Sequence, residues 1–222
     1  DLKPTLKGLH FLGDFLDTHS VSSHSKGMIP IPGLTLGKEY KAGNDLLNKF
    51  DAITNSCPNH IDKTFIYGNH EDRYFRHIAN SDNNKFADAL LSPQQALNLD
   101  ARGYTTLTNW KEDYKLLGNS LQLIHGEYCT QSPARTHMNK LKSSVMFVHT
   151  HRIDICYDGE KAGFNIGWGG DSNAPCFNYV SRITKLNWMN GFALVTIDEN
   201  NHFHTQVIQV YKDHFWYGGK KY

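Results

Sequence analysis

Short apolar runs and one helical pattern alternate at the start of the chain. Residues 9–12 and 64–67 are largely apolar, and each run stops at a glycine, Gly13 or Gly68. Runs of this length that end in glycine are typical of buried strands followed by tight turns. Between them, residues 38–55 carry apolar side chains at helical spacing. The order strand, helix, strand predicts an α/β sheet.

The rest of the chain predicts two more helices and a series of strands. Ser92 and Ser132, each followed by proline, have the N-cap signature of helices, which we expect to end near Arg102 and Ser143. A Gly-Asn-Ser turn between apolar runs predicts a hairpin. The predicted strands are 114–117, 121–124, 145–148, 153–157, 163–166, 192–197 and 203–211. We expect a single domain over residues 1–222, α/β in its first half and mostly antiparallel β in its second.

Composition and charge exclude several classes of protein. Because 23 Lys and Arg oppose 22 Asp and Glu, for a formal charge of +1, no overall field attracts a polyanion or an anionic membrane. No run approaches the roughly 18 consecutive apolar residues of a membrane span, and no secretory signal is visible. We therefore expect no membrane association and a cytoplasmic location. The four cysteines lack C-x-x-C spacing and predict reduced thiols, although a bridge between Cys156 and Cys176 stays open.

Metal-type ligands follow four of the inferred strands. Asp14, Asn69 and His125 follow three of them, and His149 and His151 follow the fourth. Since the carboxyl ends of strands converge in open α/β sheets, we expect these side chains to meet. One carboxylate, one amide and three imidazoles suit Zn, Fe, Mn or Ni rather than Ca or Mg. Each motif alone is explained as well by a turn or a strand, but the four together predict a metal site.

The motifs GDFLD, GNHED, IHG and VHTH, in this order, resemble the signature of the calcineurin-like metallophosphoesterase superfamily. That signature runs D-x-H, GD-x-x-D, GNH[DE], H and GH-x-H, and the resemblance spans residues 14–151. It implies an α/β fold, a β-sandwich of mixed sheets flanked by helices, with the site at the strand ends. The surrounding sequence, including NWMNGF, more loosely resembles phosphoesterases of bacteriophages and prophages, which implies the host cytoplasm as the location.

The resemblance also implies a dinuclear metal centre. Asp14 would bridge two divalent ions, drawn from Mn, Fe, Zn or Ni. Asn69, His125 and His149 would complete the shell of the first ion. His151 would ligate the second. Two ions roughly 3.5 to 4 Å apart clamp phosphoryl oxygens and acidify a bridging water into a nucleophile.

The catalytic and substrate-binding roles follow from the same resemblance. His70 would donate a proton to the leaving group or stabilise the transition state, oriented by Asp17. A histidine held by a carboxylate keeps one tautomer and delivers a proton near neutral pH. Arg73 and Arg152 lie just beyond two of the metal motifs and are candidates for bidentate contact with a substrate phosphate, although exposed ion pairs are the commoner outcome.

The sequence departs from the signature in several places. The D-x-H motif of the opening strand is absent, which removes two ligands and leaves the second ion weak or absent. We favour a missing upstream segment, so that the domain is N-terminally incomplete and lacks its opening strand; a one-metal protein and replacement by His19 or His24 are the alternatives. Val148 stands where glycine usually precedes H-x-H. Thr18 replaces the arginine of protein phosphatases, which disfavours protein dephosphorylation.

These observations predict a metal-dependent phosphoesterase that hydrolyses a phosphate mono- or diester by a metal-activated hydroxide. Nuclease, cyclic-nucleotide phosphodiesterase and nucleotide phosphatase activities all fit, so a nucleotide or DNA is the favoured substrate. The alternative is a non-catalytic binding scaffold of the same fold with an incomplete metal site. The oligomeric state stays open.

Overall fold

The protein forms two compact units, Asp1–Trp110 and Lys111–Tyr222. The fold is known from a computed structural model, which describes residues 2–25, 27, 30–80 and 90–222, without the side chain of His24. Each unit has its own sheet and its own core, and each is described by itself below. A single domain over residues 1–222 stays a prediction.

A three-stranded parallel sheet forms the centre of the first unit. Its order is β1 (Gly8–Phe11), β2 (Asp62–Ile66) and β3 (Tyr104–Leu107). The long helix α1 (Leu36–Thr54) connects β1 to β2 and begins where the Thr35 side chain accepts the N–H of Lys38. The two strands and the helix predicted for this region are confirmed. Strand β3 was not predicted, because its polar threonines break the apolar pattern.

Two shorter helices complete the first unit. Helix α2 (Asp72–Ala79) follows the loop after β2, and no signal in the sequence analysis predicted it. Helix α3 (Pro93–Ala96) starts at the predicted cap but is much shorter than predicted. Asn98 adopts a left-handed conformation with φ of 52°, which a continuing α-helix does not allow. The prediction of a helix reaching Arg102 is therefore wrong, and turns cover that stretch.

The core of the first unit fixes the ends of β1 and β2. Phe65 and Tyr67 are fully buried among leucines from α1 and from the segment after α3. Phe15, which follows β1, meets Phe11 and Phe65 edge-on, with ring centroids 4.9 and 5.3 Å apart. Edge-to-face aromatic pairs of this kind stabilise beyond the area that they bury. The segment that follows β1 is thus held against β2.

A five-stranded mixed sheet forms the centre of the second unit. Its strands are β4 (Lys115–Leu117), β5 (Leu121–Leu123), β6 (Ser144–Phe147), β7 (Ile153–Asp158) and β8 (Lys161–Ile166). The order is β4-β5-β6-β8-β7, with antiparallel hairpins at both edges and parallel pairing of β6 with β5 and β8. The predicted hairpin is confirmed, and most strand pairings in this half of the chain are antiparallel, as predicted. The exceptions are the pairings of β6 with β5 and β8, and the crossover through α4 makes β5 and β6 parallel.

The remaining elements of the second unit are a helix, a second short helix and two hairpins. Helix α4 (Pro133–Leu141) packs on the sheet, and α5 (Arg182–Lys185) lies in the connection that follows β8. The last strands pair as β9 with β10 and β11 with β12. Their bounds are Asn190–Ile197, Phe203–Val210, Trp216–Tyr217 and Lys220–Lys221. Among the described residues, no helix is both long and apolar enough to cross a membrane.

A buried histidine joins α4 to the loop after β5. His137 Nε2 accepts the backbone N–H groups of Glu127 and Tyr128, at 2.9 and 3.2 Å. Its Nδ1 therefore carries the proton and donates to the Pro133 carbonyl at 2.8 Å. The ring also packs on Phe147, with centroids 3.9 Å apart. Burial is the main reason that the pKa of His137 is lowered.

We predict that His137 makes the stability of the protein fall with decreasing pH. Because its pKa is lower in the folded chain than the roughly 6.5 of an unfolded histidine, its contribution is present above that pH and is lost below it. Between pH 7.5 and 5.5, His137→Gln should lose less unfolding free energy in urea than the unsubstituted protein. The exposed His202→Gln is the control. Equal losses in all three proteins would contradict the prediction.

Candidate functional site

The chain turns sharply as it leaves β1. Gly13 and Asp14 have φ angles of 97° and 53°, and such left-handed angles are uncommon for residues other than glycine. The turn brings the Asp14 carboxylate to the loop after β2, where its Oδ1 accepts the N–H of His70 at 2.9 Å. The two strand ends that the sequence analysis paired are therefore in contact in the first unit.

Glu71 holds these two loops together. It is fully buried, and its carboxylate accepts the backbone N–H groups of Asp14, Leu16 and Gly68 at 2.8 to 2.9 Å. Burial and the nearby Asp14 raise the pKa of Glu71, while the N–H groups of Leu16 and Gly68 oppose that rise. The sequence analysis assigned this residue no role. The available signal was its place in the signature GNH[DE], whose last position is a carboxylate, but the motif does not show what that carboxylate contacts.

His70 lies between two carboxylates. Its Nδ1 is 3.0 Å from Asp17 Oδ1, and its Nε2 is 3.8 Å from Asp14 Oδ2. Only 7% of the residue is exposed. Burial has the largest single effect and lowers the pKa of His70, but Asp14 and the hydrogen bond to Asp17 together outweigh it and raise that pKa. The two nitrogens thus face different partners, one on each side of the ring.

Arg73 reaches back to the same loop from the first turn of α2. Its Nη1 donates to the Asp17 carbonyl at 2.7 Å and lies 3.3 Å from the Asp17 carboxylate. The residue is buried. Arg73 therefore orders the carboxylate that holds His70, and a direct contact with substrate stays a prediction. The predicted ligand Asn69 is half-buried in the same loop. Its backbone carbonyl accepts a hydrogen bond from Arg76 Nη2 at 3.1 Å.

The residues after GDFLD pack into this loop as well. Thr18 is fully buried, has a φ of 48° and donates its hydroxyl to the His70 carbonyl. His19 is buried, its N–H donates to Glu39 at 2.7 Å, and its Nδ1 lies 3.9 Å from Asp17 Oδ2. His19 as a replacement metal ligand stays a prediction. The other proposed replacement, the His24 side chain, lies outside the described part of the chain.

A pair of histidines follows β5 and β6 in the second unit. His125 is fully buried, while His149 is half-buried and has a φ of 54°. Their nitrogens Nε2 and Nδ1 lie 3.1 Å apart. Two imidazole nitrogens bound to one tetrahedral zinc at 2.0 to 2.1 Å would be about 3.3 Å apart. The pair therefore fits the spacing of two ligands to a single ion.

His151 lies in an aromatic cluster with Trp168, Phe177 and Trp188. Its ring stacks on Trp168, with centroids 4.4 Å apart and planes at 12°, and meets Trp188 edge-on at 4.5 Å. Ring nitrogens point in the plane of an imidazole, so stacking on its face is compatible with metal ligation. The sequence analysis did not connect these aromatic side chains with His151, because they lie far from it in the chain.

Val148 and Arg152, which flank residues 149–151, each donate a hydrogen bond to a backbone carbonyl. Val148, in the position where glycine is usual, donates its N–H to the His125 carbonyl at 3.1 Å. Arg152 Nη2 donates to the Thr130 carbonyl at 2.7 Å. A guanidinium has five donor hydrogens, so this one bond leaves Arg152 capable of binding a phosphate. That role stays a prediction.

The predicted site residues thus form two groups, one in each unit. Around the ends of β1 and β2, the structure brings Asp14, Asp17, His70 and Arg73 into contact, and Asn69 lies in the same loop as His70. After β5 and β6 lie His125, His149, His151 and Arg152. The assignment of both groups to one metal centre stays a prediction.

No protein-family model and no curated protein matches the chain. Among solved structures, a single-substitution variant of Vps29 from Entamoeba histolytica is 14% identical over 97% of this chain and 95% of that chain, with a TM-score of 0.39. A double-substitution variant of the same protein is 14% identical over 80% of this chain and 85% of that chain, with a TM-score of 0.37. Wild-type Vps29 from the same organism, complexed with Zn²⁺, is 13% identical over 81% of this chain and 86% of that chain, with a TM-score of 0.36.

At such low scores and identities, these similarities carry no argument about function. The mixed α/β architecture, with parallel and mixed sheets and helices, is itself consistent with the expected metallophosphoesterase-like fold. The resemblance to phage proteins and the cytoplasmic location stay predictions.

We predict that Glu71→Gln destabilises the first unit. The amide keeps one acceptor but places an NH₂ group against backbone N–H donors, which removes charge-assisted hydrogen bonds worth about 2 to 3 kcal/mol. Urea unfolding should show this loss, whereas the exposed Glu112→Gln should match the unsubstituted protein. A neutral effect of Glu71→Gln would contradict the role given to this carboxylate.

We predict that the histidine pair binds zinc. Calorimetric titration with Zn²⁺ should show at least a tenfold weaker dissociation constant for His149→Ala, since a lost ligand leaves an open position. His202→Ala, an exposed histidine in the same unit, is the matched control. Unchanged zinc affinity in His149→Ala would show that the close approach of the two rings reflects a hydrogen bond alone.

Proposed function

We propose that the protein is a metal-dependent phosphoesterase that hydrolyses a phosphate mono- or diester, with a nucleotide or nucleic acid as the favoured substrate. The observation that carries this proposal is the clamp on His70. His70 Nδ1 lies 3.0 Å from Asp17 Oδ1, and His70 Nε2 lies 3.8 Å from Asp14 Oδ2. A purely structural histidine does not require both carboxylates, whereas an acid catalyst requires one to orient it.

His70 acts in this proposal as the proton donor to the leaving oxygen. The bond from Nδ1 to Asp17 fixes the orientation of the ring and leaves Nε2 as the nitrogen that delivers the proton. Arg73 holds Asp17 in place from behind. Burial excludes bulk water from the pair, so the geometry is set before substrate arrives.

The proposed metal ligands are the residues that the resemblance assigns. The first ion would take Asp14, Asn69, His125 and His149, and the second would take Asp14 and His151. Mixed nitrogen and oxygen donors suit Mn, Fe, Zn or Ni. When bound, such ions neutralise charge on the phosphoryl oxygens and acidify a water. With two protein ligands, the second ion would bind weakly or not at all.

The scaffold alternative also has an observation in its favour. Ile183 and Leu186, on and just after α5, are 77% and 71% exposed. Exposed aliphatic side chains of this kind suit contact with another protein. They do not account for the clamped His70, which is why hydrolysis remains our first proposal.

We predict divalent-metal-dependent hydrolysis of bis(p-nitrophenyl) phosphate or p-nitrophenyl phosphate by the purified chain. His70→Ala should lower kcat by about 10² to 10⁴, the range for loss of a general acid. Asp14→Asn should abolish activity at limiting metal, and EDTA should do the same to the unsubstituted protein.

Matched controls are His202→Ala and Asp213→Asn, which change exposed residues of the same types. Both should retain full activity. If no divalent metal supports turnover, even after a D-x-H segment is added upstream, the scaffold reading replaces the hydrolase.

A further inference from the structure

A cavity of about 550 Å³ opens in the second unit beside the aromatic cluster. Its lining includes Trp168, Trp188, Asp171, Ser172, Asn190 and Lys212. This volume lies within the usual range for small-molecule sites, and the combination of aromatic faces with a few polar groups is typical of them. The second unit thus holds a concave site that the proposed chemistry does not itself use.

We propose that this cavity is a subsite for a nucleobase, with Lys212 positioned to meet a phosphate of the same ligand. The inference rests on the proposed phosphoesterase function for the identity of the substrate, but the cavity and its lining stand by themselves. Stacking on indoles is tolerant of base identity, since every base has a π-face.

The two indoles are arranged as a corner rather than as a closed pair. Trp168 and Trp188 have centroids 5.0 Å apart and planes at 70°. Both are half-buried, so each packs in the protein while remaining accessible. Aromatic rings that only filled the core would be enclosed on all sides. A base that stacks on one indole at this corner meets the edge of the other.

The two glycines that follow Trp168 have different surroundings. A Cβ at Gly170 would lie 2.2 Å from the six-membered ring of Trp168, so no side chain fits there. At the neighbouring Gly169, a Cβ would meet nothing within 4 Å among the described residues. A Cβ at position 169 would therefore meet open space. The segment approaches the indole closely and still leaves room for a ligand.

The polar groups of the lining supply complementary charge and hydrogen bonds. Lys212 is exposed at the cavity, and its φ of 57° is unusual for a lysine. Asp171 accepts the N–H of Asn173 at 2.9 Å, which fixes its carboxylate in the lining. An ammonium suits a phosphate, and a carboxylate suits the amino edge of a base. A purely apolar ligand would leave both charges unmatched.

The position of the cavity connects it to the candidate metal site. His151, the proposed ligand of the second ion, contacts both Trp168 and Trp188. A base bound on the far side of these indoles would lie one ring away from that histidine. This arrangement favours a phosphoester with a nucleobase over one without it.

Calorimetric titrations in EDTA with adenosine, AMP and ribose 5-phosphate test the proposal without any metal or turnover. Adenosine should bind, and AMP should bind about tenfold or more tightly than ribose 5-phosphate, because only AMP carries a base to stack. A deoxyadenosine oligomer of ten nucleotides distinguishes a nucleic-acid ligand from a mononucleotide. Binding of the oligomer more than tenfold tighter than that of AMP indicates a nucleic acid, and anything weaker indicates a mononucleotide.

Three variants assign the binding to this cavity. Gly169→Leu should weaken the binding of AMP about tenfold by filling the cavity. Gly37→Leu, at another glycine whose Cβ would meet nothing within 4 Å, should leave the binding of AMP unchanged. Trp188→Leu should weaken adenosine and AMP alike, with the exposed Trp216→Leu as its control.

The third variant, Lys212→Gln, should weaken the binding of AMP but leave the binding of adenosine unchanged. Lys220→Gln is its control. Equal binding of AMP and ribose 5-phosphate, or unchanged AMP binding in Gly169→Leu, would overturn the proposal. Adenosine binding by a protein that hydrolyses no ester would remove the phosphoesterase function and retain the nucleobase subsite.

Discussion

The first unit depends on one buried carboxylate. Glu71 is fully buried and accepts three backbone N–H groups from the loops that follow β1 and β2. A carboxylate in this position is costly to desolvate, and only several well-aligned donors offset that cost. The donors come from both loops, so the same bonds that stabilise Glu71 also fix Asp14 next to His70. The order of the candidate site is thus a consequence of satisfying one buried charge.

A second constraint acts in the other unit, where strand ends place imidazoles close together. The parallel pairing of β5 and β6 brings His125 and His149 to the same edge of the sheet, with facing nitrogens 3.1 Å apart. His151 follows two residues later, and its left-handed φ of 58° accompanies packing against the tryptophans. Backbone conformation therefore separates the environments of two histidines that a regular strand would have placed on one face.

Much of this arrangement was predictable, and the failures have identifiable physical causes. Apolar runs predicted most of the strands and α1, because hydrophobic periodicity reports burial directly. The helix after Ser92 was predicted too long, since its capping signature specifies where a helix begins and says little about where Asn98 ends it. The structure also adds a contact of Arg73 that the sequence did not show. A charge in the sequence does not name its partners, which for Arg73 include the side chain and carbonyl of Asp17.

The sequence by itself determined most of the strands, the residue types at their ends and the chemistry that those types allow. It placed Asp14, His70 and the later histidines at strand ends from local pattern alone. Only the tertiary structure decided that Glu71 is the shared anchor and that Trp168 and Trp188 surround His151 beside a cavity. Such contacts join residues many positions apart, and a local pattern carries no information about which distant side chains share a neighbourhood.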